Sequence, residues 1–226
     1  MSGPSAGKCP AIIAALPREV SALVKGWERR EVARRVLVWT RGRSVVACAG
    51  MGAARAALAV EAAMAAAPVT ALISAGLAGA CDPALHVGDV VRAGVVIDSA
   101  TGERFEAAGQ REQVVVTGDA VASVREKARL RAAYGAAAVE MEAAAVARIA
   151  RAHGLEFCAI KAISDEADFE IEGLAQFATR DGQFREAAFA LHVAVRPWMW
   201  GKVLTLGRNS GRAIDALTEA LRALID

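Results

Sequence analysis

Apolar residues along this chain fall into short runs of about five to eight, set apart by polar or alanine-rich stretches, which is the spacing of alternating strands and helices. The first run, Ala11 to Leu16, reads as a buried strand. Pro17 then opens a helix in the first-turn position where its missing N–H leaves nothing unsatisfied, and Glu19 lies in that turn. Val32 to Trp39 and Val45 to Ala49 read as strands joined by the Arg41-Gly42-Arg43 turn. Gly50-Met51-Gly52 turns tightly into an alanine-rich helix that stops before Pro68. Val69 to Ser74 is a further strand, followed by Ala75-Gly76-Leu77-Ala78-Gly79, a loop whose glycines let backbone approach a ligand closely.

His86 to Val90 leads into an apolar strand that runs through Ile97, and residues 99–112 form a polar surface excursion. Val114 to Thr117 is a strand. Gly118-Asp119 precedes a helix running from Ala120 towards Gly135, with Asp119 as its natural N-cap. Another helix, entered through Val139-Glu140-Met141-Glu142, runs to His153 and stops at Gly154. Phe157 to Ile163 is a long apolar strand ending on Ser164-Asp165, and helices interrupted at Arg196-Pro197 complete the chain. This alternation predicts an α/β fold, with a mixed, mainly parallel central sheet flanked by helices. No repeat, low-complexity segment or linker divides it, so residues 1–226 read as one domain.

Composition narrows the function classes. Hydrophobic residues make up 55% of 226, but alanine supplies much of that share, and no apolar run approaches the length of a bilayer span. The first eight residues lack the apolar core of a signal peptide. A net charge of +2 calls for no nucleic-acid partner. Four scattered cysteines (Cys9, Cys48, Cys81, Cys158) have no metal-site spacing, and Cys48 and Cys158 fall inside strand patterns. A reduced, cytoplasmic setting is expected. The three histidines, His86, His153 and His192, are equally isolated, so neither a zinc enzyme nor a histidine-based triad is expected. Carboxylates are left to carry any acid–base chemistry, with no metal or organic cofactor.

Two sites concentrate those carboxylates. Glu140 and Glu142 flank a strand-to-helix junction, and Asp165 ends a strand, the edge of an open α/β sheet where ligands bind. Taken singly, Glu19, Glu140 and Glu142 read as first-turn residues complementing a helix dipole, and Asp165 as a turn residue. The Gly50–Gly52 and Gly76–Gly79 segments read singly as plain turns, and Arg55 as an exposed arginine. None of these is a Walker or dinucleotide fingerprint.

Together, Val-Glu-Met-Glu-Ala at residues 139–143 and Ala-Ile-Ser-Asp at residues 162–165 resemble the purine nucleoside phosphorylase and nucleosidase superfamily. The methylthioadenosine/S-adenosylhomocysteine nucleosidase branch is the most similar, over about Ala11 to Asp168. The resemblance implies that Glu19 activates the attacking water, Glu142 accepts hydrogen bonds from the ribose hydroxyls and Asp165 protonates the purine. It implies that Met141 packs on ribose and base and that Ser164 orients Asp165. Glu140, Met51, Gly52, Ala78, Gly79 and Val121 would complete the substrate-binding wall. These roles fit the chemistry, because breaking the C1′–N9 bond builds positive charge on the sugar and negative charge on the base. A carboxylate near the sugar stabilises the first, and a carboxylic acid kept protonated by an apolar setting neutralises the second. Glycoside hydrolysis divides its two carboxyl groups in a similar way.

The chain departs from the family pattern at several points. Leu77 replaces a hydroxyl residue in the glycine loop, and Ser74 stands where the superfamily's phosphorylases place an arginine; both changes favour hydrolysis over phosphorolysis. Val121 stands where a phenylalanine stacks on adenine. Lys161 replaces the usual arginine, keeping the charge and losing the planar fork. The segment Leu191 to Trp200, with Arg196 and Lys202 nearby, suits burial on the core or at a dimer interface. It also suits a lipid-facing surface, compatible with a hopanoid-associated branch that acts on a lipid-linked adenosine. The expectation is therefore a purine-nucleoside N-ribohydrolase, homo-oligomeric and dimeric, taking a small-molecule purine nucleoside. Its rivals are a phosphate-dependent phosphorylase, a hopanoid-linked nucleosidase and a catalytically silent nucleoside-binding protein.

Overall fold

Strand β1 (Pro10–Ala14) is buried along its whole length and pairs in parallel with β4 (Ser44–Cys48) on one side and β5 (Ala71–Ala80) on the other. Its side chains alternate between two cores. Ala11 and Ile13 join a cluster with α2 (Ala53–Ala66) and α4 (Ala143–His153). Ile12 and Ala14 join a second cluster with Val20, Leu23 and Leu217. Two covered faces are why the run is apolar without interruption. A computed structural model describes residues 9–169 and 197–225, on which these statements rest.

Beyond β4 the sheet continues antiparallel through β3 (Val36–Arg41) to an edge strand, β2 (Glu28–Val32). Its sequence, Glu-Arg-Arg-Glu-Val, is exposed throughout, so no apolar alternation marks it, and its charges blunt a sheet edge. The strand expected from Val32 to Trp39 is thus split by a turn at Ala33–Arg35.

On the other side five strands close into a ring. β5 pairs in parallel with β10 (Glu156–Asp165), and β10 pairs antiparallel with β6 (Val90–Asp98). β6 pairs in parallel with β8 (Gln110–Thr117), β8 with β9 (Ala136–Glu140), and β9 returns antiparallel to the end of β5. A short strand, β7 (Arg104–Glu106), adds to β6 and buries Phe105. Among the described residues five pairings are parallel and five antiparallel, and the parallel ladders are the longer on the whole, so the sheet is mixed as expected.

Three further expectations need correction. Residues 75–79 are not a loop but the second half of β5, held by pairing to β10. The excursion at 99–112 contains β7 and the start of β8. Helix α3 spans Val124–Tyr134, and its N-cap is Ser123, whose hydroxyl accepts from the Glu126 N–H at 3.2 Å, rather than Asp119. The stop of α4 at a left-handed Gly154 agrees with the sequence pattern, and α5 is described over Pro197–Ile225. Ala213, Leu217 and Leu221 recur every fourth residue and pack α5 onto the second core. The polar stretch and helices expected over 170–196, with His192 and most of the aromatic segment, lie outside the described residues. Among those described, no helix is long and apolar enough to cross a membrane.

Candidate active site

The carboxyl ends of β5, β8, β9 and β10 meet at one place because their registers align there. Thr117 lies opposite Glu140, Val139 opposite Gly79, and Gly79 opposite Asp165. The two sequence signatures, one ending β9 and one ending β10, therefore flank the end of the same strand.

Glu140 is 5% exposed, and both its oxygens are engaged within the protein. Its Oε1 accepts from the Thr117 hydroxyl at 2.6 Å, and the N–H groups of Glu142 and Ala143 donate to the carboxylate at 2.9–3.0 Å. Lys161 Nζ closes an ion pair with Oε2 at 2.7 Å and donates to Ser74 Oγ at 3.0 Å. A carboxylate has about four acceptor positions, and here they are filled. Glu140 is thus bound to the start of α4 and to a buried ammonium. Burial works against that ammonium, but Glu140 and Glu142 outweigh it, holding the Lys161 pKa above the usual lysine range.

Glu19, also 5% exposed, folds back over its own short helix α1 (Pro17–Val20), and Oε2 accepts from Ala15 and Leu16 N–H at 3.1 Å. Burial raises its carboxyl above the usual range, against those hydrogen bonds and the nearby Lys161 charge. Behind it the chain passes through Gly76, whose backbone conformation disfavours a side chain. A methyl on Gly76, whose φ is +154°, would lie 3.4 Å from Glu19 Oε2 and 3.8 Å from Lys161 Nζ.

Glu142 stands at the N-terminus of α4, where Oε1 accepts from Gly52 N–H at 2.7 Å. The Gly50–Gly52 turn and the acidic signature, 90 residues apart, are joined by this bond. Burial, then repulsion from Glu140, pushes the Glu142 carboxyl up to about 7, although Lys161 and the Gly52 N–H pull it down.

Asp165 departs from its expected setting. A β-bulge at Ser164 breaks the β10 register between Ile163 and Asp165 and re-aims the chain end. The Ser164 hydroxyl donates to Asp165 Oδ1 at 2.7 Å, and Lys127 Nζ lies 2.5 Å from Oδ2. The environment expected to be apolar is therefore an ion pair. Gly79 makes room for it, since a Cβ there would fall 2.8 Å from Asp165 Oδ2 and 2.9 Å from Lys127 Cε.

A cavity of about 200 Å³ unites these groups. Glu19, Met51, Ala78, Gly79, Val121, Glu140, Met141, Glu142, Ser164 and Asp165 all line it. Gly52 instead supports Glu142 and lines an adjoining cavity of about 230 Å³. Arg55 donates to the carbonyls of Ala49 and Arg34, so it fastens backbone. Among the described residues no group of His, Cys, Asp or Glu is placed to hold a metal ion.

The sequence reading missed Lys127, Thr117, Leu206 and Ser210. Lys127 carried a usable signal: it lies three residues before Leu130, the long apolar residue that marks the buried face of α3. Leu206 and Ser210, one turn apart on α5, reach the cavity mouth and carried none. Arg18 is an exposed residue at the rim.

Residues 11–114 and 110–196 match the model of the phosphorylase superfamily. The chain belongs to this superfamily. Its fold is similar to that of a methylthioadenosine/S-adenosylhomocysteine nucleosidase from Helicobacter pylori, solved with butyl-thio-DADMe-Immucillin-A. The TM-score is 0.73 at 17% identity, covering 97% of this chain and 98% of that one. The corresponding nucleosidase from Neisseria meningitidis, solved with methylthio-immucillin-A, gives 0.73 at 21% identity over 96% and 97% of the two chains. Futalosine hydrolase from Helicobacter pylori gives 0.72 at 16% identity over 97% of each. A comparison with curated protein sequences gives no match. The phosphorylase-superfamily fold thus extends over nearly the whole chain, with the carboxylate-lined cavity at the strand ends of its closed ring.

Proposed function

We propose that this chain is a purine nucleoside N-ribohydrolase of the methylthioadenosine/S-adenosylhomocysteine class. The reading is carried by one observation: Glu19, Glu142 and Asp165, from three separate elements, line a single cavity of about 200 Å³. Glu19, with its carboxyl raised by burial, takes the proton from the attacking water. Glu142 accepts from the ribose hydroxyls and faces the positive charge that grows on the sugar. Asp165 gives a proton to the departing base. Met141, Met51, Ala78, Gly79 and Val121 shape the nucleoside's bed. Glu140 holds the start of α4 rather than the substrate, because its oxygens are already taken.

Hydrolysis is favoured over phosphorolysis by charge. Ser74 is buried against Lys161 and cannot serve as an anion ligand, and Glu19 occupies the nucleophile's side, where a second anion would be repelled. The chain is further read as one domain and as a cytoplasmic, dimeric enzyme. Assay of adenosine, inosine, methylthioadenosine and S-adenosylhomocysteine for base release, with and without phosphate, tests the proposal. Release in phosphate-free buffer, giving ribose or its 5′-substituted form, is expected. Strict dependence on phosphate, with ribose 1-phosphate as product, makes the protein a phosphorylase, and tight binding without turnover makes it a nucleoside-binding protein.

A further inference from the structure

Lys127 is 1% exposed, the single cation on the buried side of α3, and it lines the same cavity as the three carboxylates. Its ammonium can donate three hydrogen bonds, and all three have an acceptor: Asp165 Oδ2 at 2.5 Å, the Glu166 carbonyl at 2.8 Å and the Phe169 carbonyl at 3.0 Å. Two of these anchor the backbone that follows Asp165, and the third holds its carboxylate. Burying a lysine is costly unless it is paired in this way. The Lys127 side chain is 2% exposed, whereas that of Asp165 is 22% exposed towards the cavity, so the pair has one sealed and one open end. Gly79 leaves the space that both side chains fill.

Resting on the nucleosidase reading above, we propose that Lys127 is the positioning residue of the general acid. As the C1′–N9 bond breaks, its electron pair goes to the base, and the base takes a proton from the Asp165 carboxyl group. Water supplies the oxygen that bonds to C1′, and its proton passes to Glu19. The carboxylate then left on Asp165 meets the Lys127 ammonium at hydrogen-bond distance. The pair seen in the structure is the arrangement the departed proton leaves; relative to the protonated acid, Lys127 stabilises the transition state, in which the carboxylate charge grows, more than it stabilises the carboxylic acid. Solvent returns the proton from Glu19 to Asp165 between turnovers. Lys127 acts through Asp165: it fixes the angle of that carboxyl and favours its discharge.

The test is a double-mutant cycle on base release from the best substrate of the four-nucleoside panel. Lys127→Met should lower kcat about 100-fold, within the range of a positioned general acid, with KM changed less than about threefold. In an Asp165→Asn background the same change should cost less than about threefold, because the acid it serves is gone. Lys127→Arg, which keeps the charge, should recover part of the loss. Thermal melts identify a variant that has failed to fold, and the Arg variant in the same cycle then decides. Losses that add, or full activity of Lys127→Met, overturn the Lys127 assignment alone. Absence of base release by the wild-type protein from all four nucleosides overturns the nucleosidase reading and this inference with it.

Discussion

Lys161 and Lys127 are both buried against a carboxylate, yet the side chains of the Lys161–Glu140 pair are each 1% exposed while Asp165, the partner of Lys127, is 22% exposed to the cavity. The first pair is closed on every side: Glu140 is filled by Thr117, two backbone N–H groups and Lys161. It ties β8, β9, β10 and the start of α4 into one rigid corner. The second pair is closed at the ammonium and open at the carboxylate. A saturated ion pair has no capacity left for a ligand and serves as scaffold, whereas a half-open pair can exchange a proton with whatever enters. Between them sit Glu142 and Glu19, each bound at one oxygen by backbone N–H groups and each raised by burial. The sealed corner thus fixes the positions from which the open groups act.

The largest expected effect lies at the open pair. Asp165→Asn keeps shape and can donate a hydrogen bond, but it cannot transfer a proton, so kcat should fall about 10²–10⁴-fold. Binding of a nucleoside inhibitor should change far less. Near-full activity of Asp165→Asn on the best natural substrate would remove Asp165 from the chemistry and collapse the distinction between the two pairs.

At the sealed pair the same kind of change should be read in stability. Lys161→Met or Glu140→Gln leaves one buried partner uncompensated and should cost about 3–5 kcal/mol in urea unfolding, whereas Lys127→Met, which leaves a carboxylate open to the cavity, should cost clearly less. Replacing both Lys161 and Glu140 by apolar residues should recover much of that loss, since the penalty belongs to the orphaned charge. If Lys161→Met unfolds no more easily than Lys127→Met, the corner is not the scaffold described.

How far these features could be read from the sequence follows the same division. The carboxylates Glu140, Glu142 and Asp165 stand in contiguous signatures at strand ends, so they were legible, as was β1, whose four apolar positions announce two covered faces. Edge strand β2 was not, because a fully exposed strand needs no apolar alternation. The second half of β5 read as a loop because its glycines resemble a turn. Gly79 is small because Asp165 and Lys127 press against it, a constraint set by residues 86 and 48 positions away in the chain, and Gly76 is a glycine because its φ of +154° disfavours any side chain. Lys127 was missed because α3 is otherwise polar, so one more lysine looked solvated. The ring closure, too, depends on which strand ends meet, and local periodicity holds no record of that.

A smaller effect should appear with pH. Glu142, with its carboxyl pushed up to about 7, is mostly protonated at pH 6 and mostly ionised at pH 8. Only the ionised form can accept from both ribose hydroxyls, so the Kd of a nucleoside inhibitor should fall about five- to tenfold between these values, as expected for a group titrating midway. Glu142→Gln should bind more weakly and remove that slope. The stability sign is opposite: a carboxyl raised in the folded state favours folding below its unfolded value of 4.5 and loses that contribution as pH rises through about 7. The Glu142→Gln protein should therefore melt a few degrees higher than wild type at pH 8, with little difference at pH 4.5. A wild-type Kd flat from pH 6 to 8 would mean that this carboxyl does not meet the ribose.

The smallest effect is expected at Val121, where the proposed function puts the base. Val121 lines the mouth and is 41% exposed, in a position where a flat side chain could lie against a purine. It packs in none of the buried clusters, so replacement should leave the melting temperature unchanged. Val121→Phe adds a ring for stacking, and an aromatic contact of about 0.5–1.5 kcal/mol corresponds to a KM lowered roughly two- to tenfold, with kcat little altered. The gain should be seen with adenosine and inosine alike, because stacking does not distinguish the 6-substituent. Leu206 and Ser210 of α5 face the same mouth. A Val121→Phe protein with unchanged KM for every purine nucleoside would place the base elsewhere along the cavity, towards α5. Leu206→Ala should then raise KM where Val121→Phe did not lower it.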